Sequence, residues 1–264
     1  MAEPTISVVI VAYCQRELLA ECLQSCVRAA EDVSDGAELI VVDNGGLAPF
    51  IRERWLKRLS GPLRGEPSVA GVYGRQLPHT GARPPERYFL DFLYGAQPRR
   101  QRVAGAHELT METTLFSNVN AAMPRALWER FPFAEDVLIA EDQDWSRRVL
   151  LAGFTLVYEP AAVVRHSHNY TLGEAFRRFF DSGASADRAY LAGERESVRA
   201  LRAAAIRYAR GELGWMWRTG QRRWIPYAIV YETIKMVGLL LGANHKRLPL
   251  AAKRRLSGLP GFWG

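Results

Sequence analysis

The stretch 139–149, IAEDQDWSRRV, places three carboxylates, Glu141, Asp142 and Asp144, within four positions and follows them with two arginines. A carboxylate at the mouth of a helix can serve as a general base if it faces a ligand. Two other segments carry complementary groups: HSHN (166–169) offers two imidazoles, and FSNVN (116–120) offers two amides. Carboxylate, imidazole and amide converging from separate segments is how a site is assembled. The same letters also have a purely structural account. Acids in a first helical turn gain roughly 0.3–1 kcal/mol each from the helix dipole. Asp144 can also pair with Arg147 or Arg148 at the surface for a similarly small gain.

The elements that must position these groups read as an α/β chain. TISVVIVAY (5–13) is a β-branched apolar run, the mark of a strand buried on both faces. A helical pattern follows, with Leu18, Leu19, Cys22, Leu23, Cys26 and Val27 at three-and-four spacing, and AELIVVDNGG (37–46) is a second buried strand. Strand, helix, strand at this spacing predicts a βαβ unit with a parallel pair. Tyr13, Asp43 and Asn44 fall at the strand ends, where ligands bind in open α/β sheets, although an Asp there can also simply cap a turn.

Further on, residues 49–61 read as an amphipathic helix and 68–78 as a strand. Residues 79–112 read as a helix plus loops around ERYFLDFLYG. Residues 116–133 read as a strand and a short helix begun at Pro124. The acidic helix buries Trp145, Val149, Leu150 and Leu151 and is stopped by Gly153. FTLVYEP (154–160) and AVVRHSH (162–168) are expected as two strands separated by a Pro-containing turn. That arrangement puts HSHN about one hairpin beyond the acidic helix. From Thr171 the pattern is helical to about residue 210, and again over 222–242.

The 264 residues suffice for one large domain or a domain with an appendage, and the net charge of +7 favours an anionic partner. Basic residues concentrate late, in RRW (222–224) and HKRLPLAAKRR (245–255), and no nucleic-acid reading motif accompanies them. Cys14, Cys22 and Cys26 lack the pairing of a zinc site and read as small buried residues in a reducing compartment. The opening residues lack a basic leader, which points to the cytoplasm. WIPYAIVYETIKMVGLLLGA (224–243) is a poor spanning helix, because Pro226, Glu232 and Lys235 interrupt it. It is either a packed hairpin that closes the core or a peripheral anchor on the inner face of the cell membrane.

SVVIVAY, CLQSC and ELIVVDNGG together resemble the opening of the inverting glycosyltransferases of family 2, which have a GT-A type nucleotide-sugar fold. FSNVNAAMPRALWERFPF, AEDQDWSRRVLLAGFTLVYEPAAVVRHSHNYTLGEAFRRFFDSG and the ending GLLLGANHKRLPLAAKRRLS resemble its bacterial rhamnosyltransferase branch. The resemblance implies a GT-A-like unit over 1–186 with a shortened central sheet, and a helical, basic extension over 187–264. It implies transfer of L-rhamnose from dTDP-L-rhamnose to a cell-surface polysaccharide or lipid-linked glycan. Asp43, with Tyr13 and Asn44, would bind the nucleotide. Asp142 would be the general base and Glu141 would orient the acceptor or the base. Asn118, Asn120, Asp144 and Trp145 would contact donor or acceptor. His168 first, and His166 next, would help hold Mg²⁺ or Mn²⁺ against the diphosphate, with Arg165 or Arg178 beside the phosphate.

The chain departs from that pattern after Asn44. VVDNGG runs directly into LAPFIRERWLKRL, so the stretch carrying the Asp-x-Asp-like metal motif and one or two central strands is missing. Asp91 is the one aspartate between 47 and 115, and its spacing suits an exposed position on a helix. A sheet that loses an internal strand is expected to re-pair its neighbours or leave edges open. The alternative is therefore an impaired relative that binds a nucleotide, a glycan or a membrane. A glycoside hydrolase using Glu141 and Asp144 is disfavoured, because both acids come from one helical turn.

Overall fold

The computed structural model describes residues 6–14, 23–29, 37–46, 50–51, 55–186 and 195–264; the side chains of 6, 7, 9–14, 37–46, 50–51, 195–202 and 204 are not among those described. Strand β1 (Ile6–Cys14) lies parallel to β2 (Ala37–Gly46), with Ala12 opposite Asp43, and residues 23–29 between them are helical (α1). The expected βαβ unit is present.

A second sheet contains β3 (Phe50–Ile51), β4 (Val69–Leu77), β5 (Arg99–Gln101), β6 (Ala121–Ala122) and β7 (Thr155–Arg165). Its order is β3-β7-β4-β6 with β5 also on β7; β4 and β7 run parallel and the other pairings are antiparallel. Among the described residues no ladder joins the two sheets. Of the two outcomes expected, re-pairing across the gap is not seen among the described residues, and β1 meets the larger sheet through side chains. Val8 shares an apolar cluster with Cys26, Trp55, Leu56, Leu59, Val69, Val72 and Val164.

Helix α2 (Trp55–Gly65) covers that face, and α3 (Pro84–Leu93) and α5 (Glu141–Leu151) cover the other with Leu90, Tyr94, Trp145, Val149 and Leu150. Burial on both faces accounts for the unbroken buried stretches Val69–Gly74 of β4 and Thr155–Tyr158 and Ala162–Val164 of β7. Helix α2 starts later than the pattern suggested, because Phe50 and Ile51 pair with Arg165 and Val164. The strand expected after residue 116 shrinks to β6, which follows a 3₁₀ turn at Asn118–Asn120; α4 (Arg125–Arg130) begins after Pro124.

The two strands expected around Pro160 are one. In β7, Glu159 pairs with Gly74 and Val163 with Arg75, so residues 160–162 bulge out of the ladder. Proline lacks an N–H, and a bulge is where a strand tolerates that loss. The bulge brings the Ala162 carbonyl so near Gly74 that a Cβ there would collide with it.

The C-terminal third is helical: α6 (Leu172–Ala186), α7 (Arg195–Arg218), α8 (Ile225–Ala243) and α9 (Leu250–Leu256). Helices α6 and α8 touch backbone to backbone at Gly183, Gly238 and Gly242. On α8, Ala228, Tyr231, Lys235, Gly238 and Gly242 are buried, and Ile229, Val230, Val237 and Leu241 are exposed. At 100° per residue these sets occupy opposite faces of the helix.

Candidate active site

Helix α5 starts from an unusual backbone. Ala140 has φ 66 and ψ 35, the left-handed region that side chains with a Cβ rarely occupy, and it is the one such non-glycine among the described residues. Strain of this kind clusters at functional sites. Its carbonyl nevertheless accepts the N–H groups of Gln143 and Asp144, so the helix begins cleanly.

Asp142 is fixed through both oxygens. Oδ1 accepts the Gln143 N–H at 2.9 Å, and Oδ2 accepts the main-chain N–H of Asn118 at 3.2 Å. The Asn118 side-chain amide donates to Glu141 Oε1 at 3.3 Å. Burial, and then the neighbouring Glu141 charge, push the Asp142 carboxyl up to about 6 against the two N–H bonds and Arg178, which pull it down. A carboxylate with that value changes protonation near neutral pH, which suits general-base work.

The partner turn is pinned to the end of β4. Gln76 donates to Ser117 Oγ at 2.9 Å. Asn120 is 1% exposed; its amide donates to the carbonyls of Arg75 and Ala162, and its oxygen accepts the Trp55 indole N–H at 2.7 Å. The expected ligand contact at Asn120 therefore gives way to a structural bracket joining α2, β4 and β7. Asp144 and Trp145 fare similarly. Asp144 is buried and ion-paired with Arg148 at 2.9 Å, and Trp145 is fully buried against Phe116. Of the acidic triplet, Asp144 is spent on an ion pair, while Asp142 and Glu141 are the two tied to the turn at Asn118.

Beyond β7 the His166 N–H extends the parallel ladder to the Leu77 carbonyl. The Nε2 atoms of His166 and His168 lie 3.0 Å apart, and the His168 ring stacks on Tyr170. Burial lowers the basicity of both rings, that of His166 to about 3, with lesser contributions from neighbouring imidazoles and, for His168, Arg178. Both rings are therefore neutral at physiological pH, the form that ligates metals. The 3.0 Å contact is an N–H···N hydrogen bond, in which one neutral ring donates and the other accepts according to tautomer. Among the described residues, however, no group of three or more His, Cys, Asp or Glu is arranged to hold an ion. Asp91 is not an exception: it is exposed on α3 and paired with Arg75 at 3.2 Å.

Arg178, exposed on α6, is near enough for its charge to act on both Asp142 and His168. Arg165 donates to the Pro78 carbonyl instead. An open cleft beside the histidines is lined by His79, Gly81, Ser167, His168, Asn169, Tyr170 and Glu174. Sequence reasoning missed His79 on this cleft and Arg83 and Glu86 on a smaller one that shares His168, Asn169 and Tyr170 with it; the only signal was their position just past β4, in a segment read as helix and loops. Tyr13, Asp43 and Asn44 lie in the last positions of β1 and β2, but their side chains are outside the described residues.

No protein-family model matches the chain. It is 32% identical over 199 residues to the O-antigen chain rhamnosyltransferase RfbN of Salmonella typhimurium, covering 75% of this chain and 62% of that protein. It is 31% identical over 202 residues to the O-antigen chain rhamnosyltransferase WbaN of Salmonella anatum, covering 76% of this chain and 63% of that one. The chain thus spans less than two thirds of the length of these curated relatives. Among solved structures it is similar to the mannosyltransferase PcManGT from Pyrobaculum calidifontis in complex with GDP-Man and Mn²⁺, with a TM-score of 0.47, 15% identity, and coverage of 91% of this chain and 88% of that one. Over about three quarters of its own length the chain is similar to these two O-antigen chain rhamnosyltransferases.

Proposed function

We propose that the chain carries out inverting transfer of L-rhamnose from a dTDP-linked donor to a polysaccharide or its lipid-linked precursor, with Asp142 as the general base. The observation that carries this is the Asp142 carboxyl, held at about 6 between the Asn118 and Gln143 N–H groups. Inversion needs one base on the face opposite the leaving group, and Asp142 would take the proton of the acceptor hydroxyl as its oxygen attacks the anomeric carbon. Glu141, tethered by Asn118, would orient that hydroxyl, and Arg178 would lie against the departing diphosphate. Tyr13, Asp43 and Asn44 would hold the nucleotide at the ends of β1 and β2.

His168 and His166 suit a divalent cation of Mn²⁺ type, because imidazole is tolerated by Mn²⁺ better than by Mg²⁺. Two imidazoles alone do not complete its shell, so oxygen ligands would have to come from the nucleotide. When bound, such an ion would offset negative charge on the leaving diphosphate.

We take 1–186 as the transferase unit and 187–264 as an extension that meets the membrane. Besides the outward apolar face of α8, Trp217, Leu250, Leu259 and Phe262 are exposed in the same C-terminal region, which also carries exposed Arg222, Arg223, Lys246, Arg247, Arg254 and Arg255. The run Arg222–Ala243 is long and apolar enough to cross a membrane by length and composition alone, but its opposite face is packed on α6, with Lys235 buried. A peripheral position on an anionic inner leaflet suits that division, with each basic residue near the surface gaining about 1 kcal/mol. Such binding should weaken with added salt; indifference to both salt and lipid charge would remove this part of the proposal.

Calorimetric titration with dTDP and UDP, with and without Mn²⁺, tests the donor site. Mn²⁺-dependent binding that prefers dTDP is expected. The absence of a cation cluster among the described residues favours, as a second reading, an impaired relative that retains glycan or membrane binding. Binding of neither nucleotide would select it.

A further inference from the structure

The histidine loop is held on its far side by the first turn of α3. The Arg83 main-chain N–H donates to Asn169 Oδ1 at 2.9 Å, and the Asn169 amide returns a bond to the Gly81 carbonyl at 3.0 Å. The Arg83 guanidinium donates from one nitrogen to the Tyr170 carbonyl at 3.2 Å and to the Tyr227 hydroxyl of α8 at 2.8 Å. One turn on, Glu86 Oε1 accepts the His168 N–H at 3.2 Å.

The local sequence is suited to this. Pro84 and Pro85 fill the first two positions of α3, fix the backbone there and bring no N–H groups that need capping. The direction of Arg83 at the helix mouth is therefore set in advance. Both bonds leave one terminal guanidinium nitrogen, which spends its two hydrogens on them; a lysine side chain ends one bond short of that nitrogen and does not reach both acceptors where they stand.

The bonds run in series to the site. Tyr227 holds Arg83, Arg83 holds the Tyr170 backbone, and the Tyr170 ring stacks on His168 with centroids 5.0 Å apart and planes 12° apart. The His168 ring in turn faces His166. Helix α8 is itself stacked here, Tyr227 on Tyr231, and Lys235 is boxed by the rings of Phe89, Phe179, Tyr208 and Tyr231, which come from α3, α6, α7 and α8. The anchor to which Arg83 reaches is thus a packed point of the helical layer.

We propose that Arg83 is a positioning residue that locks the His166–Tyr170 loop to helix α8 and so fixes the facing imidazoles of His166 and His168. The functional consequence rests on the donor-site role proposed above; the geometric one does not. Without the lock the two rings lose their common orientation, and Mn²⁺-dependent nucleotide binding weakens even though no residue touching the nucleotide has changed.

The test uses the full chain with ¹⁵N-labelled histidine, free of metal, with the rings of the five histidines assigned by single His→Gln replacements. Arg83→Lys is expected to move the ring signals of His166 and His168 while those of His107 and His245 stay in place. Tyr227→Phe, which removes one hydroxyl and keeps the ring, should move the same signals by a smaller amount. In parallel, the Mn²⁺ needed for half-maximal dTDP binding should rise about 5- to 30-fold in Arg83→Lys, with the melting temperature little changed. Unmoved His166 and His168 signals in both variants would overturn the proposal, as would a fall in melting temperature with no ring shift. If Arg83→Lys fails to fold, Tyr227→Phe decides alone. If the wild-type chain binds no dTDP under any condition, the donor-site reading fails, and the ring signals still settle whether Arg83 sets the loop.

Discussion

The main-chain N–H of Asn118 reaches Asp142 Oδ2 at 3.2 Å across 24 positions of sequence, and this joins the turn after β4 to the mouth of α5. A backbone donor cannot be lost by substituting its side chain, so Asn118→Ala deletes only the 3.3 Å bond to Glu141. Asp142→Asn is expected to lower transfer by about 10²–10⁴-fold, the usual size of a general-base contribution, whereas Asn118→Ala should cost under about 10-fold. Rates for the two variants measured side by side decide the assignment. Equal losses would mean that Asp142 only shapes the turn.

The pH dependence follows from the same carboxyl. It must be ionised to accept a proton, and burial beside Glu141 lifts it to about 6. Transfer should therefore climb as pH rises through about 6 and level off above it. A profile that is flat between about pH 5 and 7 would remove Asp142 as the titrating base.

Stability should run the opposite way. A carboxyl raised in the folded state favours folding when protonated; that contribution is full below the ordinary value of 3.8 and is lost as pH rises through about 6. Asparagine removes the titrating charge but has one acceptor oxygen, so the N–H of Asn118 or of Gln143 loses its partner at every pH. The stability of the wild type is thus expected to fall by about 1–3 kcal/mol relative to that of Asp142→Asn between about pH 4 and about pH 7.5. Urea melts at the two pH values read this directly, and they need no substrate.

The sequence made the buried strands, the acidic helix and its Trp145–Leu150 stripe legible, because burial on both faces and three-and-four spacing leave clear periodic marks. It did not reveal that Asn120 is spent on Trp55, Arg75 and Ala162, since an amide beside a site looks the same whether it faces ligand or core. It also split β7 at Pro160, because the usual penalty for proline in a strand does not apply at a bulge, and the bulge depends on Gly74 in a distant strand. Arg83 and Glu86 were invisible for a related reason. The partners of their side chains are main-chain atoms of His168 and Tyr170 and a hydroxyl 144 positions away, none of which leaves a local pattern.

The contact between α6 and α8 offers a test of how the chain divides. A Cβ at Gly242 would strike the Phe180 carbonyl, and one at Gly183 would strike the Leu239 carbonyl, so neither helix can yield locally. Gly214 of α7, by contrast, has open space where its Cβ would lie. Gly242→Ala is expected to destabilise by about 2 kcal/mol or more through overpacking. Gly214→Ala should stabilise by about 0.5–1 kcal/mol, because alanine gives up less backbone freedom in a helix. If residues 187–264 are a separable extension, Gly242→Ala should split thermal unfolding into two steps, with nucleotide binding surviving the first. Because α6 directly follows the histidine loop and its Asp181 accepts the Gly258 N–H at 2.9 Å, a single lowered transition is the outcome the packing favours. That result would make the helical layer part of the transferase unit and move the boundary out of 186–187.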